Sequence, residues 1–222
     1  HNIKMQNTKT QATDNKRLKD KEIVWIMDKR LQQQLDFSLE IDKEKNIFRQ
    51  THLSGHGRNE NDAEHAWHMA IMAYILKEYA NEQVDISRVM IMCLIHDIVE
   101  IEAGDTYAYD EKGKLSQRER EVKAADRIFS LLPKDQAKSM RDLWEEFKTC
   151  ETPEAKFARC MDNLQPILLN DKTGGKSWRE RQIKRSQVEE RQKRTKMGSD
   201  TLMEVVTQII EKNVKNGNLK DE

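Results

Sequence analysis

His96-Asp97 directly follows a run of seven apolar residues, Val89 to Ile95. An imidazole and a carboxylate at such a place need partners, because an unpaired ionised carboxylate in a core costs several kcal/mol. Alone, the pair reads as a core histidine bonded to a core aspartate, with Asp97 matched by an arginine; a His-Asp dipeptide is a weak signal. Three further features change that reading. His65 opens the preceding helix in the run Glu60-Asn-Asp-Ala-Glu-His65. Glu100 follows on the helical face of His96 and Asp97, with Asp105 a little further on. Asp162 interrupts an apolar stripe beside Met161. Three helices thus each place a donor on or beside a core-facing stripe, which is how helical bundles build metal sites. Two imidazoles and two carboxylates, from His65, His96, Asp97 and Asp162, suit one first-row divalent ion such as Mn, Fe, Co, Ni or Zn.

The elements that must position these residues read as helices throughout. From about Lys21 to Lys45, Ile23, Ile26, Leu31, Leu35 and Leu39 recur at helical spacing. Gln50 to Asn61 holds two glycines and a serine and reads as a loop. Asn61 and Glu64 have the spacing of a capping box, which starts a helix through Leu76. A second helix is expected over Ile86–Glu102, with Gly104 as its stop. Its first half is apolar on every side, so it should lie at the centre of the fold. Asp105 to Leu115 reads as a loop, and Ser116 with Glu119 as a capping box for a helix ending at Pro133. Asp135–Lys148 follows. Thr152-Pro153 then caps and opens the helix that carries Asp162, with Pro166 inside it. Gly174-Gly175 breaks the chain before two closing helices, Trp178–Lys196 and Asp200–Asn213. No period-two alternation marks a sheet. The expectation is an all-α bundle with the metal site in its core: a polar segment over 1–20, one helical domain over 21–215 and a polar tail over 216–222.

Bulk composition sets limits on partners. The 222 residues carry 39 basic and 39 acidic side chains, a net charge of zero that gives no reason to expect nucleic-acid or membrane partners. The longest apolar run is far too short to span a bilayer, and His1–Lys21 has no apolar signal core. The three cysteines, at scattered spacing, suit buried thiols in a reducing cytoplasm. Residues 179–196 hold eight basic and three acidic residues without interleaved aromatics, so they read as a solvated helical face.

The pattern His65 … His96-Asp97 … Asp162 resembles the HD superfamily of metal-dependent phosphohydrolases. Arg58-Asn-Glu-Asn-Asp-Ala-Glu-His65 resembles that family's Arg-x-Glu-Asn-x-x-Glu-His segment. His96-Asp-Ile-Val-Glu100-Ile-Glu-Ala-Gly-Asp105 resembles its His-Asp-x-x-Glu-x-x-x-Gly-Asp segment, and Lys156-Phe-Ala-Arg-Cys-Met-Asp162 its later Lys-x-x-x-x-x-Asp helix. The similarity runs from about Leu31 to Leu169 and is closest to the 5′-deoxynucleotidase branch. It implies metal binding by the four residues above, catalytic roles for Glu100 and Asp105, and phosphate positioning by Arg49. Arg58 is a second substrate-binding candidate, with a structural pair to Glu60 or Glu64 as the alternative. Bacterial members of the branch carry a tryptophan, tied to deoxyribose preference, where this chain has Gln50. Members are often dimers, and the two closing helices could pack against a second copy.

Other residues near the motif have plainer readings. His68 is expected as a pocket wall or hydrogen-bonded core residue rather than a fifth ligand, and His52 and His56 as exposed loop or entrance residues. Trp67 could stack on a base, although helical spacing favours packing; Trp178 has no site context. The implied reaction is removal of phosphate from nucleoside 5′-monophosphates, deoxyribonucleotides above all. Two alternatives stand beside it. One is another phosphoester: a nucleoside triphosphate, a cyclic nucleotide or a guanosine alarmone. The other is a metal-stapled regulatory module without turnover.

Overall fold

Thr152 accepts a hydrogen bond from the Ala155 amide at 3.2 Å, and Pro153 occupies the first turn, where its missing N–H leaves nothing unpaired. The helix that starts there, Pro153–Lys172, is buried on nearly every side from Ala155 to Asn170 and forms the axis of the molecule. The computed structural model describes residues 28–55 and 57–222. The 1–20 segment, the start of the helix expected from Lys21, and His56 lie outside the described residues.

In chain order the helices are α1 Lys29–Ile41, α2 Asp62–Leu76, α3 Ile86–Ile95, α4 Glu100–Ala103 and α5 Glu111–Phe129. They continue with α6 Lys134–Thr149, α7 Pro153–Lys172, α8 Lys176–Glu180, α9 Arg185–Gly198 and α10 Asp200–Lys215. A short antiparallel pair, β1 Phe48–His52 and β2 Asn59–Asn61, is the one sheet among the described residues. Helices α2, α3, α9 and α10 pack around α7. Met69, Met92, Phe157, Met161 and Leu164 are the centre of the larger apolar cluster. A second cluster, around Ile128, Phe129 and Trp144, fills the space between α5, α6 and the start of α4.

Five expectations about these elements need correction. The stretch read as a loop over Gln50–Asn61 holds most of the hairpin, which begins at Phe48. Phe48 pairs with Asn61 and His52 with Asn59, an irregular register, and the Asn59 side chain donates to the Arg49 carbonyl at 2.5 Å. The pairing rests on main-chain and amide groups rather than on alternating apolar residues, so no strand pattern shows in the sequence.

The helix expected over Ile86–Glu102 breaks at His96–Val99. Glu100 N–H donates to the Asp97 carbonyl at 2.8 Å, one residue short of the α-helical partner. The Trp144 indole N–H takes the His96 carbonyl instead, at 3.2 Å. Nor is α3 enclosed on all sides, since Ile91 and Leu94 are exposed. Helix α5 begins at Glu111 rather than Ser116, because Asp110 caps it by accepting from the Lys112 and Gly113 amides, both at 3.1 Å. The stretch read as one helix over Trp178–Lys196 is two, α8 and α9, parted where Gln182 takes a φ of 55°.

Two details place the elements around the site. Gly198 ends α9 against α7, and a Cβ there would lie 2.4 Å from the Lys156 carbonyl oxygen. Only glycine allows that approach. Exposed apolar side chains gather on α2 and α3, with Trp67, Ile71, Tyr74, Ile75, Ile91 and Leu94, while the closing helices expose Met197 and Val205. No described helix is long and apolar enough to cross a membrane.

Candidate metal centre

The capping box expected at Asn61 is present: Asn61 Oδ1 accepts from the Glu64 amide at 2.9 Å, and Glu64 Oε2 accepts from the Asn61 amide at 3.0 Å. That cap fixes the first turn of α2 and so the direction of His65. From α7, Asp162 Oδ1 comes within 3.3 Å of His65 Nε2 and 3.8 Å of His96 Nε2. Asp97 Oδ2 lies 2.9 Å from His96 Nε2. Donor atoms of His65, His96 and Asp162 fall within 4.8 Å of one another, and those of Asp62, Asp97 and Glu100 do the same beside them. All six side chains are buried.

The helix break brings the two groups together. The tightened turns after His96 place Asp97 and Glu100 on the same side, beside Asp62 at the start of α2. Pro166 follows Asp162 by one turn of α7 and cannot donate to the Asp162 carbonyl, which loosens that turn.

Electrostatics favour a cation here. Burial, helped by Arg49, pulls the His65 pKa down to about 4, so the ring is neutral and Nε2 offers a lone pair. Burial opposes ionisation of Asp97 and Asp162, yet each is held below the usual carboxylate range. Arg49 does this for Asp97, and Arg159 and Arg191 do it for Asp162. The remaining acids go the other way. Burial, with Asp97 and Asp62 nearby, pushes Glu100 well up. Burial and Asp97 push Asp62 up to about 8. Buried carboxyls that resist ionisation beside carboxylates that cannot avoid it mark a site short of positive charge.

Several polar atoms are also left over. His96 Nε2, Asp62 Oδ2 and Glu100 Oε2 are buried without a hydrogen-bond partner. Neutral imidazole nitrogens and carboxylate oxygens are the donors a first-row divalent ion takes, so the residues present fit such an ion.

The other sequence-derived candidates divide. Glu100 and Asp105 line a cavity that reaches the cluster. Arg49 lines it too, and its Nη1 donates to Asp97 Oδ2 at 2.9 Å and Asp62 Oδ1 at 3.1 Å. Arg58 is elsewhere: exposed, it makes a bidentate pair with Glu64 at 2.9 and 2.5 Å, the structural partner weighed for it above. His68 is a half-buried wall residue, its Nδ1 3.2 Å from Gln165 Nε2. His52 is buried rather than exposed, and joins β1 to α8 through Glu180 at 2.8 Å. Trp67 neither packs nor lines this cavity; it is 63% exposed.

Sequence reasoning missed several side chains. Trp178 is buried and forms the cavity wall with Tyr107 and Tyr109. Gln50 lies on the same wall and accepts from Arg181, whose guanidinium stacks over Tyr107 at 4.7 Å. Gln165, Arg159, Asn163 and Arg191 surround Asp162 and had no motif to mark them. The polar residues ahead of His65 could have pointed to Glu60 and Asp62, and the spacing of one helical turn to Gln165.

The HD domain family profile matches residues 41–203, and the chain belongs to that family. A solved structure described as a predicted metal-dependent phosphohydrolase from Magnetospirillum magnetotacticum superposes with a TM-score of 0.83 at 47% identity. It covers 86% of this chain and 96% of that one. The PH0347 protein of Pyrococcus horikoshii, 17% identical with a TM-score of 0.56, shares the fold. The human 5′-deoxynucleotidase HDDC2 is 34% identical over 111 residues, 50% of this chain and 53% of that protein. The Dictyostelium discoideum 5′-deoxynucleotidase HDDC2 is 31% identical over 114 residues, 49% of this chain and 60% of that protein. The chain thus spans about half the length of the first of the curated relatives it matches.

Proposed function

We propose that this chain is a metal-dependent phosphohydrolase that releases phosphate from nucleoside 5′-monophosphates, deoxyribonucleotides above all. The observation that carries the reading is the convergence of His65, His96, Asp97 and Asp162 beside a cavity lined by Glu100, Asp105 and Arg49. The 5′-deoxynucleotidase relatives and the phosphohydrolase neighbour support it.

His65, His96, Asp97 and Asp162 would hold one divalent transition ion: Mn, Co, Zn, Fe or Ni. Such an ion supplies Lewis-acid activation of the phosphoryl group and of water. The chain's own residues do the rest. Gln165 and the Cys93 carbonyl each engage a ring nitrogen, on His65 and His96, and so leave the Nε2 atoms facing inward. A cation held beside it would favour the ionised form of Glu100, whose buried, unpartnered Oε2 then accepts the proton of the attacking water as the water oxygen bonds to phosphorus. The bond from phosphorus to the ester oxygen breaks, and Asp105 gives that oxygen a proton. Arg49 keeps Asp97 ionised and borders the space where the phosphate sits. Tyr107, Tyr109 and Trp178 offer flat apolar faces of the kind on which a base stacks. Arg58 is left out of the machinery because its donors face Glu64.

The test is phosphate release from all eight ribo- and deoxyribonucleoside monophosphates, with Mn, Co, Zn and Mg compared. Release from the deoxy series supports the reading. Inorganic pyrophosphate or triphosphate released from a nucleoside triphosphate, with monophosphates untouched, overturns it.

A further inference from the structure

We propose that Arg191 and Asn163 form a receiving site for a phosphoryl dianion, on the α9 side of the donor cluster. The proposal deepens the phosphohydrolase reading and rests on it.

Arg49, the cation that the family resemblance assigns to substrate, is already engaged. Its Nη1 is shared by Asp97 and Asp62, and its Nε lies 3.7 Å from Glu60. Arg159 is engaged as well: Nη1 donates to Asp162 Oδ2 at 3.0 Å and the guanidinium stacks on Phe147 at 3.9 Å. Arg191 differs. Its Nη2 stands 3.8 Å from Asp162 Oδ1, beyond hydrogen-bond range, and its side chain is 25% exposed. A guanidinium placed only to pair with a carboxylate closes to about 2.8 Å. Arg191 instead borders both the cavity at the donor cluster and the cleft that adjoins it.

Asn163 borders the same two spaces. It is 3% exposed, and its side-chain amide nitrogen has no hydrogen-bond partner. Buried donors are nearly always paired, so a donor left open beside a cavity points to an acceptor that arrives with a ligand. A phosphate monoester offers only acceptors. A planar guanidinium can meet two of its oxygens, and an amide N–H a third. Arg194, on the rim of the adjoining cleft, adds positive potential along the approach.

The sequence reads α9 as a solvated basic face because its charges dominate its pattern. The fold turns one of those charges inward, and Gly198 sets how closely α9 lies on α7. The site therefore depends on an inter-helix approach that no linear motif records.

The test uses the full chain, loaded with metal. Inorganic phosphate is titrated into it and binding is followed by calorimetry, for the parent, Arg191→Gln, Arg191→Lys and Asn163→Ala. Circular dichroism checks that each variant is folded. Kinetics on a nucleoside monophosphate run in parallel. Arg191→Gln is expected to weaken phosphate binding about tenfold and to raise KM more than it lowers kcat. Arg191→Lys should recover part of the loss, because a point charge replaces the fork. Asn163→Ala should weaken binding about threefold or more, and it tests the site even if the arginine variants fail to fold. Unchanged phosphate affinity in folded Arg191→Gln or in Asn163→Ala overturns the site. If the parent binds phosphate through these residues but turns over no monophosphate, the site stands and the activity reading falls. If the parent hydrolyses monophosphates and the variants bind phosphate like the parent, the site falls alone.

Discussion

Gln165 is held between His65 and Glu60: its carbonyl oxygen lies 3.0 Å from His65 Nδ1, while its amide nitrogen donates to Glu60 Oε2 at 2.7 Å. Ionised, Glu60 can only accept, so the amide nitrogen faces it and the carbonyl oxygen faces the ring. That orientation assigns the His65 proton to Nδ1 and leaves Nε2 bare toward Asp162. Replacing Gln165 with Leu removes the constraint without touching a proposed ligand. Metal affinity, read by competition with a chelating dye, should fall about 10- to 100-fold. An unchanged affinity would mean that the ring is oriented by packing alone.

Glu100→Gln keeps the shape of the side chain and removes its basicity. The variant should bind the ion with the parent's stoichiometry and lose turnover by about 10²- to 10⁴-fold. Metal content by elemental analysis, beside phosphate release, checks both halves. Turnover at the parent's rate would rule Glu100 out as the base.

The metal-free protein should lose stability as pH rises through neutrality. Burial and Asp97 push Glu44 up to about 8, as they do Asp62; burial pushes Glu60 up to about 7. In the unfolded chain these groups release their protons near pH 4. Between there and pH 8 the folded state therefore binds more protons, so its stability is full below that window and is lost as pH climbs through it. Asp97 and Asp162, held low, act in the opposite sense and only in acid. With chelator present, the urea midpoint should be lower at about pH 8.5 than at about pH 5, and Glu44→Gln should narrow the gap. A midpoint that rises with pH would contradict the burial assigned to these carboxyls.

Gly198→Ala should destabilise the fold. The new Cβ would meet the Lys156 carbonyl at 2.4 Å and the Cys160 Cβ at 2.7 Å, so α9 must shift off α7. Overpacking of this kind costs about 1–3 kcal/mol. Thermal melts of the two proteins test it, and an equal or higher melting temperature in the alanine variant would show that the helices can part without loss.

How much of this was legible in the sequence follows from what each feature depends on. The capping box at Asn61 and the Thr152-Pro153 start are local signals, and both helices begin where those residues place them. The break after His96 is not local. It depends on an indole on α6 taking the His96 carbonyl just past the end of α3, a contact between residues 48 apart in the chain. Asp110 caps α5 ahead of the Ser116–Glu119 box, whose spacing resembles a cap but falls inside the helix. The hairpin escaped notice because Phe48–His52 has no apolar alternation. At the site, His65, His96, Asp97, Glu100 and Asp162 stood out as polar residues on or beside apolar faces, and Asp105 through the family resemblance. Asn163, Gln165 and Arg191 did not, because only the packing of α7 against α2 and α9 gives them neighbours.

His65 and Asp162 meet across 97 residues of chain. A protein made from its amino end has no such pocket until α7 has left the ribosome and docked. Capture of the proposed ion would therefore be a late event, after α3 through α6 have been made. An ion bound at these residues would meet a scaffold already built and act as a rivet on a finished frame rather than a seed for folding.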